Sequence, residues 1–169
     1  MGVHHEQRAR APGSVGCGIL IVSDSRTVAD DASGAVIRTA IEGAGHRVSS
    51  HAIVPDERAA IRREVSRALA RADVLALIVS GGTGIASRDV TIESLADLWA
   101  KELPGFGELL RALSYDEIGS AAYLSRATAG VIEGKFVVVL PGSPAACRLA
   151  MERLVLPELG HVAALLDRT

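Results

Sequence analysis

Aromatic side chains are scarce in this chain: two Phe, two Tyr and one Trp, or 3% of 169 residues. So few rings cannot build the stacking platforms on which single-stranded nucleic acids are held. An excess of one charge is lacking too, with 18 Lys and Arg against 20 Asp and Glu and a formal net charge of −2. There is no basic field to track a phosphate backbone, which argues against nucleic acid as a partner. The two cysteines, Cys17 and Cys147, are too few for a disulfide framework and lack the spacing of a zinc site. Each lies in an apolar segment and reads as a small core residue in a reducing cytoplasm. No apolar run is long enough to cross a bilayer, and the polar N-terminus has no signal-peptide core. Aliphatic residues, by contrast, are abundant. Apolar residues make up 49% of the chain, so the core must be built from Ala, Val, Leu and Ile. Length and composition predict one cytoplasmic domain over residues 14–169, behind a polar tail, residues 1–13, expected to be disordered. The His4-His5 pair is read as part of that tail rather than as a metal site.

Buried strands and amphipathic helices alternate along the rest. Gly16 to Ser23 is an apolar strand; its Gly16-x-Gly18 stands at the start rather than after it, so it is no dinucleotide fingerprint. Asp30-Asp31-Ala32-Ser33-Gly34 can cap a helix with Val36, Ile37, Ala40 and Ile41 on one face, stopped by Gly43 and Gly45. A second strand lies within Arg47 to Val54, and Pro55-Asp56-Glu57 opens a helix carrying Ile61, Val65 and Leu69. Val74 to Val79 has the length and β-branched content of a strand buried on both faces, and it breaks into Ser80-Gly81-Gly82-Thr83-Gly84. Thr91 is expected to cap a helix with Leu95, Leu98 and Trp99, broken at Leu103-Pro104-Gly105-Phe106-Gly107 and resumed from Glu108 to Leu113. Tyr123 to Ile132 and Phe136 to Leu140 read as two arms of a hairpin joined at Glu133-Gly134-Lys135. Ser143 and Pro144 start a last helix, expected to stop near Pro157-Glu158-Leu159-Gly160. This order predicts an α/β class protein, a three-layer α/β/α sandwich whose sheet is mostly parallel with one antiparallel strand.

Two polar loops, Ser80 to Gly84 and Pro141-Gly142-Ser143-Pro144, each follow a buried strand. If those strands are parallel neighbours, both loops lie on the carboxyl edge, where an open α/β sheet places its ligand. Backbone N–H groups in such loops attract phosphate. Neither loop is a Walker A sequence, and Gly142-Ser143-Pro144 is not a nucleophile elbow, because Pro141 and Ala145 stand where glycine is required. Asp56 can cap the helix that follows it; Asp89 has no such ready role. Together at the carboxyl edge they would offer hard oxygen ligands to a magnesium ion bridging phosphates. Arg26, Arg88, Arg111 and Arg126 are either phosphate clamps or surface salt-bridge residues. The five histidines are scattered and form no cluster with cysteine.

The ordered set Ser80 to Gly84, Arg88-Asp89-Val90-Thr91, Leu103-Pro104-Gly105-Phe106-Gly107-Glu108 and Leu140 to Pro144 resembles the molybdenum cofactor biosynthesis proteins of the MoaB/MogA type. The G domain of gephyrin belongs to the same superfamily. Leu113 to Ser120 and Leu124-Ser125-Arg126-Ala127 look closest to the MoaB branch, and the resemblance runs from Gly16 to Gly160. It implies a three-layer α/β fold assembled as a homotrimer or hexamer, and binding of molybdopterin, a pterin dithiolene with a terminal phosphate. Catalytic members of the family adenylylate that phosphate with Mg2+ and ATP and release pyrophosphate. On that pattern Asp56 and Asp89 are the catalytic, magnesium-side carboxylates. Ser23, Asp24, Ser25, Ser80, Gly81, Gly82, Thr83, Gly84, Arg88, Pro141, Gly142 and Ser143 match the edge that binds substrate and phosphate. Other molybdenum cofactor biosynthesis proteins are implied as partners. A pterin-binding or carrier protein that turns nothing over is the alternative within the same resemblance. Ile92 stands where the family often has proline.

Overall fold

The structure, a computed structural model, describes residues 13–167. The expected tail, with its His4-His5 pair, lies outside them but for Gly13. Six strands form one sheet in the order β2-β1-β3-β6-β5-β4. They are β1 (Gly16–Val22), β2 (Arg47–Val54), β3 (Ala76–Ser80), β4 (Lys101–Glu102), β5 (Thr128–Ile132) and β6 (Lys135–Leu140). β2, β1, β3 and β6 are mutually parallel. β5 runs against β6, and β4 runs against β5, so β5 is the one strand opposed to the rest.

Period-2 alternation divides the apolar residues of these strands between two layers of helices. Ile19 and Ile21 of β1, Ile78 of β3 and Val138 of β6 face one core with Ile37 and Ile41. That side is covered by α1 (Ala32–Gly43), α4 (Pro104–Ile118), α5 (Pro144–Ala150) and α6 (Leu156–Leu166). Leu20, Val22, Leu77, Val79, Val137 and Val139 face the other core, with Ile61 and Val65 of α2 (Arg58–Leu69) and Leu95 of α3 (Thr91–Leu95). Each fully buried Val, Leu or Ile contributes about 1.5–3 kcal/mol relative to exposure. The expected three-layer sandwich with one antiparallel strand is therefore the observed fold.

Several local expectations are corrected. Pro104 does not break a helix; it begins α4, where its fixed φ and missing N–H suit the first turn. Tyr123 and Leu124 lie in a 3₁₀ turn, Gly119–Leu124, rather than in a strand, and β5 starts only at Thr128. Thr91 is the first residue of α3 and not its cap, and the helix ends at Leu95, before Leu98 and Trp99. The last helix does not stop at Pro157. A π segment, Met151–Val155, carries the chain without interruption into α6, Val155 itself being helical, so Pro157 stands just past a widened turn rather than at a helix end. The hairpin itself is as expected: Ile132 pairs with Lys135 across Glu133 and Gly134, at φ 50° and 74°, a two-residue type I′ turn. Among the described residues no helix is long and apolar enough to cross a membrane.

Candidate functional site

The parallel register brings four strand ends level. Val22 is opposite Val54, Ile21 opposite Ser80, and Ser80 opposite Leu140. The next residues of β2, β1, β3 and β6 are Pro55-Asp56, Ser23-Asp24, Gly81-Gly82 and Pro141-Gly142, so the predicted loops do share one edge. β2 lies on one side of β1 and β3 on the other, which makes the gap between the ends of β1 and β3 the switch point of the sheet. Crevices at such points are where open α/β sheets bind ligands.

Three carboxylates gather there. The Asp56 N–H donates to Asp24 Oδ1 at 3.0 Å. The Arg88 guanidinium holds the other oxygen, Asp24 Oδ2, at 3.1 Å through Nε and 2.5 Å through Nη2. Asp89 Oδ2 accepts the N–H of Ala86 at 2.9 Å, closing the loop on itself. Asp56 does not cap α2; Glu57 precedes the helix and makes no side-chain cap either. Instead Asp56 Oδ1 is buried with no hydrogen-bond partner.

The glycine loop is built around these carboxylates. A Cβ on Gly82, whose φ is +61°, would run into Asp56 Oδ1 and Thr91 Oγ1. One on Gly84 would stand 2.6 Å from Asp89 Oδ2. Those two glycines let the carboxylates lie against bare backbone. Thr91 fastens the loop from the far end: its hydroxyl donates to the Gly81 carbonyl and its N–H to the Gly82 carbonyl, both at 2.9 Å. Sequence reasoning missed this role, since a threonine before a helix reads locally as a cap.

The electrostatics follow from the crowding. Burial, then the neighbouring charges of Asp24 and Asp89, push the Asp56 carboxyl above the usual carboxylate range, and Arg88 partly offsets them. The hydrogen bonds from Arg88 and from the Asp56 N–H hold the Asp24 carboxyl below it. A cavity of about 450 Å³ opens beside them, lined by Ser23, Asp24, Arg26, Thr27, Val28, Ile53, Val54 and Pro55. A larger recess, about 700 Å³, lies between α1 and the π segment, but its lining includes none of the four loops. The smaller cavity meets the carboxylates at Asp24 alone; Asp56, Asp89 and the two glycine loops lie outside its lining.

Other expected site residues turn inward. Ser80 is fully buried; its hydroxyl donates to the Pro141 carbonyl at 3.1 Å and lies 3.2 Å from Cys147 Sγ, so it anchors one loop to the other. Thr83 is buried, and its carbonyl accepts from Arg126 Nε at 2.9 Å. Arg126 also grips Glu93 with both terminal nitrogens, at 2.6 and 3.0 Å, and Arg26 and Arg111 likewise bond to protein groups. Of the four candidate clamps, only Arg88 stands among the carboxylates with most of its side chain exposed. Ser23, Ser25 and Arg26 form a tight turn in which Ser23 Oγ accepts two N–H groups, both at 3.3 Å. Neither cysteine is a nucleophile: both are buried, and burial pushes the Cys17 thiol up to about 12.

No group of three His, Cys, Asp or Glu among the described residues forms a ready metal cage. Magnesium does not require one, since it takes one or two carboxylates and completes its shell with water and phosphate oxygens. An unpartnered Asp56 oxygen near Asp89 fits such an ion.

A family model described as a probable molybdopterin binding domain matches residues 18–161. The chain belongs to that family. Its relatives include the molybdenum cofactor biosynthesis protein B of Halalkalibacterium halodurans, 51% identical over 93% of each chain, and that of Bacillus subtilis, 49% identical over the same share. A crystal structure of molybdenum cofactor biosynthesis protein B superposes with a TM-score of 0.91, at 47% identity over 95% of this chain and 100% of the other. The tungsten cofactor synthesizing protein MoaB of Pyrococcus furiosus superposes at 0.79, with 37% identity over 90% and 96%. These similarities place the chain in the MoaB branch, as the motifs from Ser80 to Pro144 suggest.

Proposed function

We propose that the protein serves molybdenum cofactor biosynthesis by transferring an adenylyl group from Mg-ATP to the terminal phosphate of molybdopterin. A phosphate oxygen of the pterin attacks the α-phosphorus of ATP, a new P–O bond forms, and the bond to the β-phosphate breaks to release pyrophosphate. The observation that carries this reading is Asp56 Oδ1, an unpartnered buried carboxylate oxygen against Gly82 at the switch point. Maintaining such a group costs stability, and active sites are where that cost is tolerated. The attacking phosphate is already an oxyanion, so the reaction needs no nucleophilic side chain.

Asp56 and Asp89 are the residues that would hold the magnesium ion. Bound there, it would neutralise charge developing on the phosphoryl oxygens. Arg88, exposed and paired with Asp24, would have to exchange that carboxylate for a phosphate to act as a clamp. The loops Ser80–Gly84 and Pro141–Ser143 would offer main-chain N–H groups to the same charges; Ser23 and Asp24 line the cavity, and Ser25 would stand beside them in the same turn. Residues 14–169 act as one molybdopterin-binding domain in this reading. Use of ATP would suit a cytoplasmic protein, with other molybdenum cofactor biosynthesis proteins as its partners.

We also take the active form to be a homotrimer or hexamer. Tyr115, Ile118 and Tyr123 support this, because they are 62, 55 and 75% exposed on α4 and the turn after it. Pyrophosphate release from Mg-ATP, measured with and without molybdopterin, tests the enzymatic claim. Pterin binding without pyrophosphate or adenylylated product would make the protein a binder or carrier instead.

A further inference from the structure

Two consecutive carbonyls of the Pro141–Ser143 loop are turned into the protein. The Pro141 carbonyl accepts from Ser80 Oγ at 3.1 Å and from Cys147 Sγ at 3.3 Å. The Gly142 carbonyl accepts from Ser33 Oγ at 2.8 Å and from Arg26 Nη2 at 3.1 Å, which engages both of its lone pairs. Arg26 Nη1 in turn donates to Ser33 Oγ at 2.8 Å and lies 3.8 Å from Asp31 Oδ1. Asp31 is 5% exposed, caps α1 through the Gly34 N–H at 2.8 Å, and holds His51 Nε2 at 3.1 Å. The guanidinium therefore stands between a fixed helix start and a loop more than a hundred residues away in sequence.

A trans peptide is planar, with its C=O and N–H pointing opposite ways. Pinning the Pro141 and Gly142 carbonyls inward thus aims the N–H groups of Gly142 and Ser143 away from those donors. We infer that Arg26, with Ser33, is a positioning residue: it fixes the Gly142–Ser143 peptide so that this loop presents its N–H groups to the ligand's phosphate. Arg26 is not itself a phosphate clamp, because both terminal nitrogens already serve protein acceptors. Lysine cannot replace it fully, since an ammonium lacks the planar fork that reaches Ser33 and Gly142 together. The inference rests on the proposed molybdopterin site for its consequence, but not for its geometry.

The test compares wild type with Arg26→Gln, Arg26→Lys and Ser33→Ala. Affinity is measured for molybdopterin and for the same pterin with its terminal phosphate removed. Arg26→Gln should weaken the phosphorylated pterin about tenfold and leave the dephosphorylated one unchanged, with Arg26→Lys and Ser33→Ala in between. A merely structural loss would weaken both ligands alike, and equal affinities in wild type and Arg26→Gln would overturn the inference. Backbone amide order parameters at Gly142 and Ser143, recorded without ligand, supply the second readout and should fall in Arg26→Gln. If wild type ignores the pterin altogether, the functional reading fails. The order parameters then decide the role of Arg26 alone: unchanged values in Arg26→Gln refute it.

Discussion

The Asp56 N–H is bonded to Asp24 Oδ1, while the Asp56 carboxylate oxygen Oδ1 lies buried and unpartnered behind it. One residue is thus held by its backbone and left unsatisfied at its side chain. This arrangement costs stability at neutral pH, and the sign can be worked out. The Asp56 carboxyl titrates above the unfolded value in the folded chain, so the native state holds its proton more tightly. Stability attributable to the group is then full below about pH 4, the unfolded value, and is lost as pH rises through the folded one.

Asp56→Asn should therefore melt higher than wild type at pH 7, by roughly 2 °C, with the gap closing towards pH 4. The same variant should lose binding of divalent cations in the presence of a phosphate ligand. Calorimetric melts across pH, together with Mn2+ titration, measure both effects. A variant that melts lower at pH 7 would mean that Asp56 is a structural carboxylate.

Gly82 and Gly105 should respond to alanine in opposite directions. A Cβ on Gly82 meets Asp56 and Thr91 at a positive φ, and Gly82→Ala should cost roughly 2–4 kcal/mol. Gly105 lies inside α4 with open space around it, and Gly105→Ala should gain about 0.5–1 kcal/mol. Urea midpoints for the two variants check the pair.

Glu133 is the one described non-glycine residue at positive φ, in the first central position of the β5–β6 turn. Asparagine tolerates that conformation better, so Glu133→Asn should stabilise by about 0.5–1 kcal/mol without touching the carboxyl edge. Chemical denaturation reads it directly.

The exposed rings of Tyr115 and Tyr123 carry the assembly prediction. Tyr123→Glu should shift wild-type trimers or hexamers towards monomer in sedimentation velocity, while secondary structure stays intact. A wild-type monomer would refute the proposed assembly, and an assembly indifferent to this change would place its interface elsewhere.

Much of this was legible in sequence because it is local. The run Val74 to Val79 reads as a strand buried on both faces, and the strand is there, shifted to Ala76–Ser80; Ser143-Pro144 reads as a capped helix start and is one. The pairing of the Gly81 and Pro141 loops on one edge followed once their strands were parallel neighbours. What escaped depends on partners distant in the chain. Thr91 looked like a cap because its bond to Gly81 needs the loop already folded back. Asp56 offered a cap and instead points at Gly82, a choice made by the packing of β2 beside β1. Pro104 reads as a break because its place at a helix start is visible only when the helix is, and Pro157 because the π segment before it leaves no mark in the sequence. The two-residue strand Lys101–Glu102 has no apolar alternation to announce it.

The most direct test of the account measures pyrophosphate release from Mg-ATP in the presence of molybdopterin, for wild type and Asp89→Ala side by side. The account predicts molybdopterin-dependent release by wild type and at least a hundredfold loss in Asp89→Ala, roughly the scale for removing an electrostatic group from a reacting centre, with melting temperature and pterin affinity retained. Equal release by the two proteins, or none from a wild type that binds the pterin, would contradict it.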